Sequence, residues 1–128
     1  MVRVFKTRSL ARFARRERIF DASLYGAIER AERGVIDADL GGGLIKQRVA
    51  RPGQGRSGGF RMMVAYRARG RAVFLYGFAK NERDNIDADE LLSLREIAAD
   101  WLAADAEKIA LAVSEGALQE VSNDDEKA

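Results

Sequence analysis

The 128-residue chain contains no cysteine, no histidine and a single proline. Without cysteine, it has no disulfide bonds, no thiolate nucleophile and no cysteine-ligated zinc. Without histidine, it also lacks the side chain that most often transfers protons or binds metals near neutral pH. Any catalysis must therefore use other groups, and we expect neither a metal ion nor a cofactor.

Long apolar stretches are missing too. No run approaches the roughly 18 apolar residues of a membrane-spanning helix, and the N-terminal residues lack the apolar segment of a signal peptide. We therefore expect a cytoplasmic protein with no membrane contact. The length and the 47% apolar content fit one soluble domain with a single core. We place that domain at residues 1–118 and expect residues 119–128 to form a disordered acidic tail.

Acidic residues are absent from residues 40–80, a stretch of 41 residues that contains nine basic ones. Those nine are Lys46, Arg48, Arg51, Arg56, Arg61, Arg67, Arg69, Arg71 and Lys80. Apolar runs of strand length alternate here with glycine-rich or charged turns, which indicates that the charge lies on a β-sheet. Residues 1–86 carry 19 basic and 8 acidic side chains, whereas residues 87–128 carry 3 and 12. A basic body of this kind predicts binding to a polyanion, by default a nucleic acid.

Residues outside the basic stretch indicate helices. A short strand at residues 2–5 precedes a helix capped by Thr7 or Ser9, and Asp21 caps a second helix that ends near Gly34. Apolar residues at helical spacing between 91 and 118 predict one or two further helices. We expect an α+β fold in which the N-terminal strand and helix hairpin pack on a small antiparallel sheet. The arginines of the first helix are either a solvated surface, which we favour, or a nucleic-acid contact.

Two motifs could suggest other ligands. Asp37 and Asp39 precede three glycines, and we expect them to make turns and caps rather than to bind a cation. Residues 53–58 spell a G-x-G-x-x-G pattern, but a strand follows it where a dinucleotide site requires a helix. The pattern therefore indicates a flexible loop between strands, with Arg51 and Arg56 available to a phosphate backbone.

Strand alternation sorts the basic side chains by face. Lys46 and Arg48 project side by side, together with Leu44, while Ile45, Gln47 and Val49 take the other face. Arg61 enters the next strand between apolar neighbours, where a charge needs either a partner such as Asp39 or Asp84, or a solvent-filled groove.

Several of these segments together resemble the RelE/HigB-type toxins of bacterial toxin–antitoxin systems. They are the GGGLIKQR of residues 41–48, the SGGFR of residues 57–61, the YGFAKNERDNI of residues 76–86, and the VFKT and FARRERI segments at residues 4–7 and 13–19. The likeness covers about residues 1–104. It implies a metal-independent endoribonuclease that cleaves mRNA, in many members on the ribosome, and that a co-encoded antitoxin inhibits.

The resemblance also implies site residues. Lys46, Arg48, Arg61 and Lys80 match the catalytic basic positions, and Arg83, in the basic cluster after the last strand, is a candidate for RNA binding. Arg51, Arg56 and Asn81 are further candidates for RNA binding. The chain departs from RelE at Asn81, where a second catalytic arginine would stand, and at Asp87, where a helix tyrosine stacks on the target base. Tyr66, Tyr76 or Phe60 could supply a stacking face instead.

When the 2′-OH of the RNA attacks the adjacent phosphate, the reaction needs a base, stabilisation of the charge that develops on the phosphorane, and an acid for the leaving oxygen. Arg61 suits charge stabilisation, because its planar fork matches phosphate. Lys46 or Lys80 can act as base only in the neutral form, which neighbouring cations favour. Two alternative functions remain: a ParE-like inhibitor of DNA gyrase, and a non-catalytic RNA-binding regulatory module.

Overall fold

The computed structural model describes residues 2–51, 55–83 and 85–122. Its α+β fold confirms the predicted class. The strands and helices, in chain order, are β1 (Arg3–Thr7), α1 (Arg8–Arg16), α2 (Asp21–Glu32), β2 (Ala38–Gly41), β3 (Leu44–Arg51), β4 (Gly55–Arg67), β5 (Arg71–Ala79), α3 (Ala88–Ala103), α4 (Ala106–Ser114) and β6 (Leu118–Glu120).

The strands form one six-stranded sheet in the order β2-β3-β4-β5-β1-β6. All neighbours are antiparallel except β1 and β5, which are parallel. The parallel pair is possible because the α1–α2 hairpin and three strands separate β1 from β5 in the chain. As its apolar sequence predicted, β5 is an interior strand, and the residues from Ala72 to Leu75 are buried.

Helices cover both faces of this sheet. We term the side packed against α1 and α2 the N-terminal face; its core includes Leu10, Leu24 and Ile28 against Phe60 and Phe74. The side packed against α3 and α4 is the C-terminal face, where Leu94, Ala98 and Ile109 join the cluster of Leu44, Met63 and Phe5. Strand alternation between Leu44 and Val49 follows the predicted pattern, since Ile45 and Val49 belong to the first cluster and Leu44 to the second.

The helix starts follow local side-chain chemistry. Thr7 caps α1, its Oγ1 accepting from the Leu10 amide at 3.3 Å. Asp87 and Glu90 form a reciprocal capping box at the start of α3. The prediction that Asp21 caps α2 is wrong, because the N-cap is Phe20 and Asp21 is the first helical residue. The Asp21 carboxylate instead accepts a hydrogen bond from Nζ of the half-buried Lys6 at 2.6 Å.

Three boundaries differ from the sequence analysis. The sequence did not predict β2, which pairs with the start of β3. Glycines 41–43 form the turn between the two strands, and all three have positive φ. β4 begins at Gly55 rather than near Phe60, so most of the predicted loop is strand. The domain also extends beyond residue 118, because β6 pairs with β1 and Val121 is 3% exposed. Residues 123–128 of the expected tail lie outside the described residues.

Arginines of the sheet hold the end of α3. Arg71 Nη1 donates to the carbonyls of Trp101 and Ala104 at 2.8 and 2.6 Å, and Arg67 Nη1 donates to Leu102 at 2.7 Å. The last turn of α3 has no basic residue of its own. These two strand arginines therefore satisfy carbonyls that the helix leaves unpaired and complement the negative end of its dipole.

Across the described residues, the helices are too short or too polar to span a bilayer.

Candidate active site

Two rows of side chains cross the C-terminal face of the sheet. Lys46, Met63 and Tyr76 are successive Cα partners on β3, β4 and β5. Arg48, Arg61 and Phe78 form the adjacent row. Directly opposed Cα atoms of antiparallel strands lie about 4.5–5.5 Å apart, so three predicted catalytic cations occupy one small area. We call these six residues the two-row site.

The strand that carries Lys46 and Arg48 is fixed at its outer edge. β2 pairs with β3 only as far as Lys46, so among the described residues no strand lies beside the Arg48 backbone on that side. Asp37 accepts from the Arg48 amide at 2.6 Å, and the Arg30 guanidinium donates to the Arg48 carbonyl. The side chain of Arg48 is exposed and that of Lys46 half-buried. The edge contacts hold the backbone while leaving the cationic group of Arg48 in solvent.

Of the two aspartates before β3, Asp39 has the local turn role that we predicted, whereas Asp37 bonds residues of β3 instead. Besides bonding Arg48, Asp37 donates its amide to the buried Gln47 side chain at 2.8 Å. Asp39 Oδ1 accepts from the Gly41 amide at 2.9 Å, which closes a local turn.

Arg61 is the most enclosed cation of the two-row site, with only 7% of its surface exposed. It lies between Arg48 and Phe78 in the row and belongs to the same strand as the buried Phe60 and Met62, which face the other side. An arginine keeps its charge even when desolvated, and electrostatic effects are stronger where water is excluded. The position therefore suits interaction with a phosphate group.

The remaining predicted residues lie at the ends of the strands. Lys80 follows β5 and is exposed, and its amide donates to the Gly59 carbonyl at 3.1 Å. Asn81 is also exposed. The backbones of Arg51 and Arg56 belong to β3 and β4, but their side chains lie outside the described residues.

Arg83 is engaged with other protein groups. Its Nη1 donates to Tyr76 Oη and to Glu90 Oε2, both at 3.1 Å, and its Nη2 donates to Glu90 Oε1 at 2.5 Å. The guanidinium also lies 5.3 Å from the centre of the Phe78 ring. The hydrogen bond with Glu90 raises the pKa of Arg83, and the same bond, with the Asp87 amide, lowers the pKa of Glu90. Both groups are therefore charged at neutral pH.

The structure separates the three aromatic candidates. Phe60 is fully buried on the N-terminal face and packs edge-on against Phe13. Tyr66 bonds Glu32 on that same face, and burial, followed by this bond, raises its pKa. Tyr76 lies on the C-terminal face and lines a groove of about 320 Å³ with Asp89, Glu90, Ser93 and Leu94. It is the one of the three that adjoins the predicted catalytic cations.

A β-bulge brings Tyr76 to that face. Val64 is partnered with Phe74 but Met63 with Tyr76, so Leu75 is an extra residue in β5. Leu75 and Tyr76 consequently pack in the same cluster, while Phe74 belongs to the other. Strict alternation would have grouped Tyr76 with Phe74. Bulges often redirect a side chain beside an active site, and sequence periodicity does not reveal them.

Glu90 is the neighbour of the site that the sequence analysis missed. Its signal was the sequence Asp87-Ala-Asp-Glu90, which has the spacing of a capping box before an apolar helix. The glutamate of such a box is fixed at the helix start, and here it meets Arg83 seven residues earlier.

The two-row site places cations and a tyrosine on one face of the sheet. Such groups can bind a phosphodiester and stabilise negative charge that develops on it.

The chain matches a known protein family. The model of the family described as the RelE toxin of the RelE/RelB toxin–antitoxin system matches residues 2–121. The chain therefore belongs to the RelE toxin family, and it is the toxin of a toxin–antitoxin system. Membership implies an antitoxin partner. A search of curated proteins gives no match.

Proposed function

We propose that this toxin is a metal-independent endoribonuclease that cleaves mRNA on the ribosome and so inhibits translation. The observation that carries the proposal is the two-row site, in which Lys46, Arg48 and Arg61 meet on one face of the sheet. The strands that build it come from a stretch without any acidic residue. Such a surface attracts RNA and favours the phosphorane over the ground state.

In this mechanism the RNA supplies its own nucleophile, the 2′-OH. Arg61 stabilises the charge on the phosphorane, and Arg48, its Cα partner, adds a second guanidinium. Lys46 and Lys80 are the candidates for base and acid. Bound RNA brings negative charge to the cluster and relieves the repulsion among its cations.

The RNA track extends from this centre. Arg51, Arg56 and Asn81 bind the flanking backbone in this proposal. Arg83 was assigned to the same role, but a direct phosphate contact would have to compete with the Glu90 carboxylate for its guanidinium. We therefore give Arg83 a different role below.

The decisive experiment is to induce the protein in a bacterium and map mRNA 5′ ends. New ends at defined positions, absent with Arg61→Ala, support the nuclease. Broken DNA with intact messages would instead indicate a ParE-like gyrase inhibitor. Translation arrest with neither kind of break would indicate a non-catalytic RNA-binding module. Repeating the assay with purified protein and naked RNA tests whether the ribosome is required.

The same positive surface suggests how the antitoxin acts. A surface that attracts phosphate also attracts carboxylate, so we propose that an acidic or amphipathic antitoxin segment covers Lys46, Arg48, Arg61 and Lys80. Antitoxin titrated against RNA bound to the Arg61→Ala variant should then release the RNA. Simultaneous binding with unchanged affinity would show that the antitoxin binds elsewhere, for example on the helix that contains Trp101.

A further inference from the structure

Tyr76 lies in one cross-strand row with Lys46, and nothing in the mechanism above uses its hydroxyl. We propose that this hydroxyl donates a hydrogen bond to a phosphate oxygen of the RNA, and that Arg83 and Glu90 are positioning residues that hold it for this contact. The proposal rests on the nuclease function and adds one substrate-contacting residue to it.

The position of the ring is the first argument. The bulge at Leu75 turns Tyr76 onto the C-terminal face, in the same cross-strand row as Lys46. The side chain is half-buried, and it forms one wall of the groove above the start of α3. One strand, β4, therefore lies between a phosphodiester bound by Lys46 on β3 and the phenol on β5.

The direction of the phenol proton is the second argument. Arginine has only donors, so in the 3.1 Å bond with Arg83 the Tyr76 oxygen must accept. Its own proton then points to another acceptor. Among the described residues, Arg83 is the hydrogen-bond partner of this hydroxyl, which leaves the proton for the groove. The lining of the groove includes the carboxylates of Asp89 and Glu90, so the phosphate oxygen that accepts this proton is one held at the mouth of the groove by the cations of the two-row site.

The third argument is that Arg83 is fixed and already engaged. Nε donates to the Asn85 carbonyl at 2.9 Å, and the two terminal nitrogens are shared between Tyr76 and Glu90. Glu90 is in turn fixed by the capping box with Asp87. An arginine held on all these sides and stacked over Phe78 orients its neighbour and does not reach for the substrate.

Single substitutions separate the hydroxyl from the ring. Tyr76→Phe removes only the hydroxyl, and we expect the single-turnover cleavage rate to fall roughly 10²-fold, as when one preorganised donor to a developing oxyanion is removed. RNA affinity should change only a few-fold. Tyr66→Phe is the matched control, because it also removes a hydroxyl bonded to a charged group, but on the opposite face. That variant should cleave at the wild-type rate.

A double-mutant cycle tests the positioning role. Arg83→Ala should slow cleavage about as much as Tyr76→Phe, and the double variant should be no slower than either single one, because both changes disable the same hydroxyl. Glu90→Gln, which keeps the size of the side chain, should show a smaller loss that also disappears in the Tyr76→Phe background. Losses that multiply would mean that Arg83 contacts RNA directly, and they would overturn the positioning role.

Other results would overturn the hydroxyl contact. Full activity of folded Tyr76→Phe together with loss in Tyr76→Leu would assign base stacking to the ring instead. Equal losses in Tyr76→Phe and the Tyr66→Phe control would point to general destabilisation. If the wild-type protein and Tyr76→Phe cleave RNA equally well, only this inference is refuted. If the wild-type protein cleaves no RNA, the nuclease function is refuted as well.

Discussion

The C-terminal face of the sheet carries arginines at both ends, and the two ends use them differently. At the end that holds the two-row site, Arg48 is exposed and its Cα partner Arg61 is enclosed within the sheet. At the other end, Arg67 and Arg71 are Cα partners whose guanidinium groups donate to the last carbonyls of α3. The residue type is the same, and Arg61 and Arg67 even belong to the same strand, β4.

What differs is the position of α3. Its N-terminus and the Arg83–Glu90 pair lie near the two-row site, and its C-terminus lies over Arg67 and Arg71. A helix C-terminus presents unpaired carbonyls, which attract cations. The helix therefore divides the basic surface that the sequence predicted into a half that binds the helix end and a half where we propose that RNA binds.

The largest expected effect that tests this division is on activity. Arg61→Ala should reduce RNA cleavage by roughly 10²–10³-fold or more, because it removes the enclosed guanidinium that stabilises the phosphorane. Growth arrest on induction should disappear with it. Arg71→Ala is the matched change at the other end and should leave cleavage by the folded protein intact. A folded Arg61→Ala protein that still arrests growth would contradict the catalytic role.

The salt dependence of RNA binding should differ between the two ends as well. If about five cations near the two-row site contact phosphates, the log–log slope against salt should be about −3.5 for single-stranded RNA, roughly a hundredfold loss of affinity between about 50 and 200 mM. Arg48→Ala should make the slope shallower by about 0.7, and Arg67→Ala should leave it unchanged.

This measurement needs RNA that the enzyme cannot cut, so the 2′-OH at the cleavage position is replaced by hydrogen. A nearly flat salt response of the wild-type protein would show that this face does not bind RNA. Equal changes of slope for Arg48→Ala and Arg67→Ala would show that the surface is not divided.

Much of the fold could be predicted, because it rests on local patterns. Alternation over Leu44 to Val49 identified which side chains share a face, and the apolar run of β5 identified an interior strand. β6 was missed since three residues with one buried side chain, Leu118, carry too little pattern. The parallel pairing of β1 with β5 was not predicted either, because it joins residues about 70 positions apart in the chain.

The candidate site was predictable only in part. Lys46, Arg48 and Arg61 lie on one face of the sheet; strand alternation grouped the first two, and the family resemblance added Arg61. The environment of Tyr76 was not predictable, because a single bulge reverses the face of every residue after it. The engagement of Arg71 was hidden for a related reason: its acceptors are backbone carbonyls, which no side-chain pattern in the sequence records.

Stability should depend on the arginines at the other end of the sheet, whose substitution is expected to leave activity intact. Arg71→Ala removes two hydrogen bonds from a charged donor to carbonyls and should lower the free energy of unfolding by about 2 kcal/mol. Burial is the main cause that lowers the pKa of Arg71, which marks it as partly desolvated. Arg67→Ala, with one such bond at an exposed side chain, should cost about 1 kcal/mol or less. Urea unfolding measures both, and equal stability of Arg71→Ala and wild type would refute the helix-holding role.

The smallest expected effect concerns pH and the contact that ties the structural end of the sheet to α2. Glu32 accepts from the Tyr66 hydroxyl and from the Arg69 amide, and these bonds, the first more strongly, lower the pKa of Glu32 below its ordinary value of 4.5. A lowered pKa in the folded state stabilises the protein above pH 4.5, and this contribution is lost as the pH falls through the folded-state value.

Because Glu32 is exposed, solvent screening should keep the contribution below about 1 kcal/mol. Tyr66→Phe should therefore be slightly less stable than wild type at pH 7, and the difference should shrink as the solution is acidified below pH 4.5. Urea unfolding of both proteins across this range measures the convergence. A difference that stays constant into acid would mean that the Tyr66 hydroxyl stabilises the fold without the Glu32 charge. Cleavage at neutral pH should be the same for both proteins, since this contact lies on the face of the sheet opposite the two-row site.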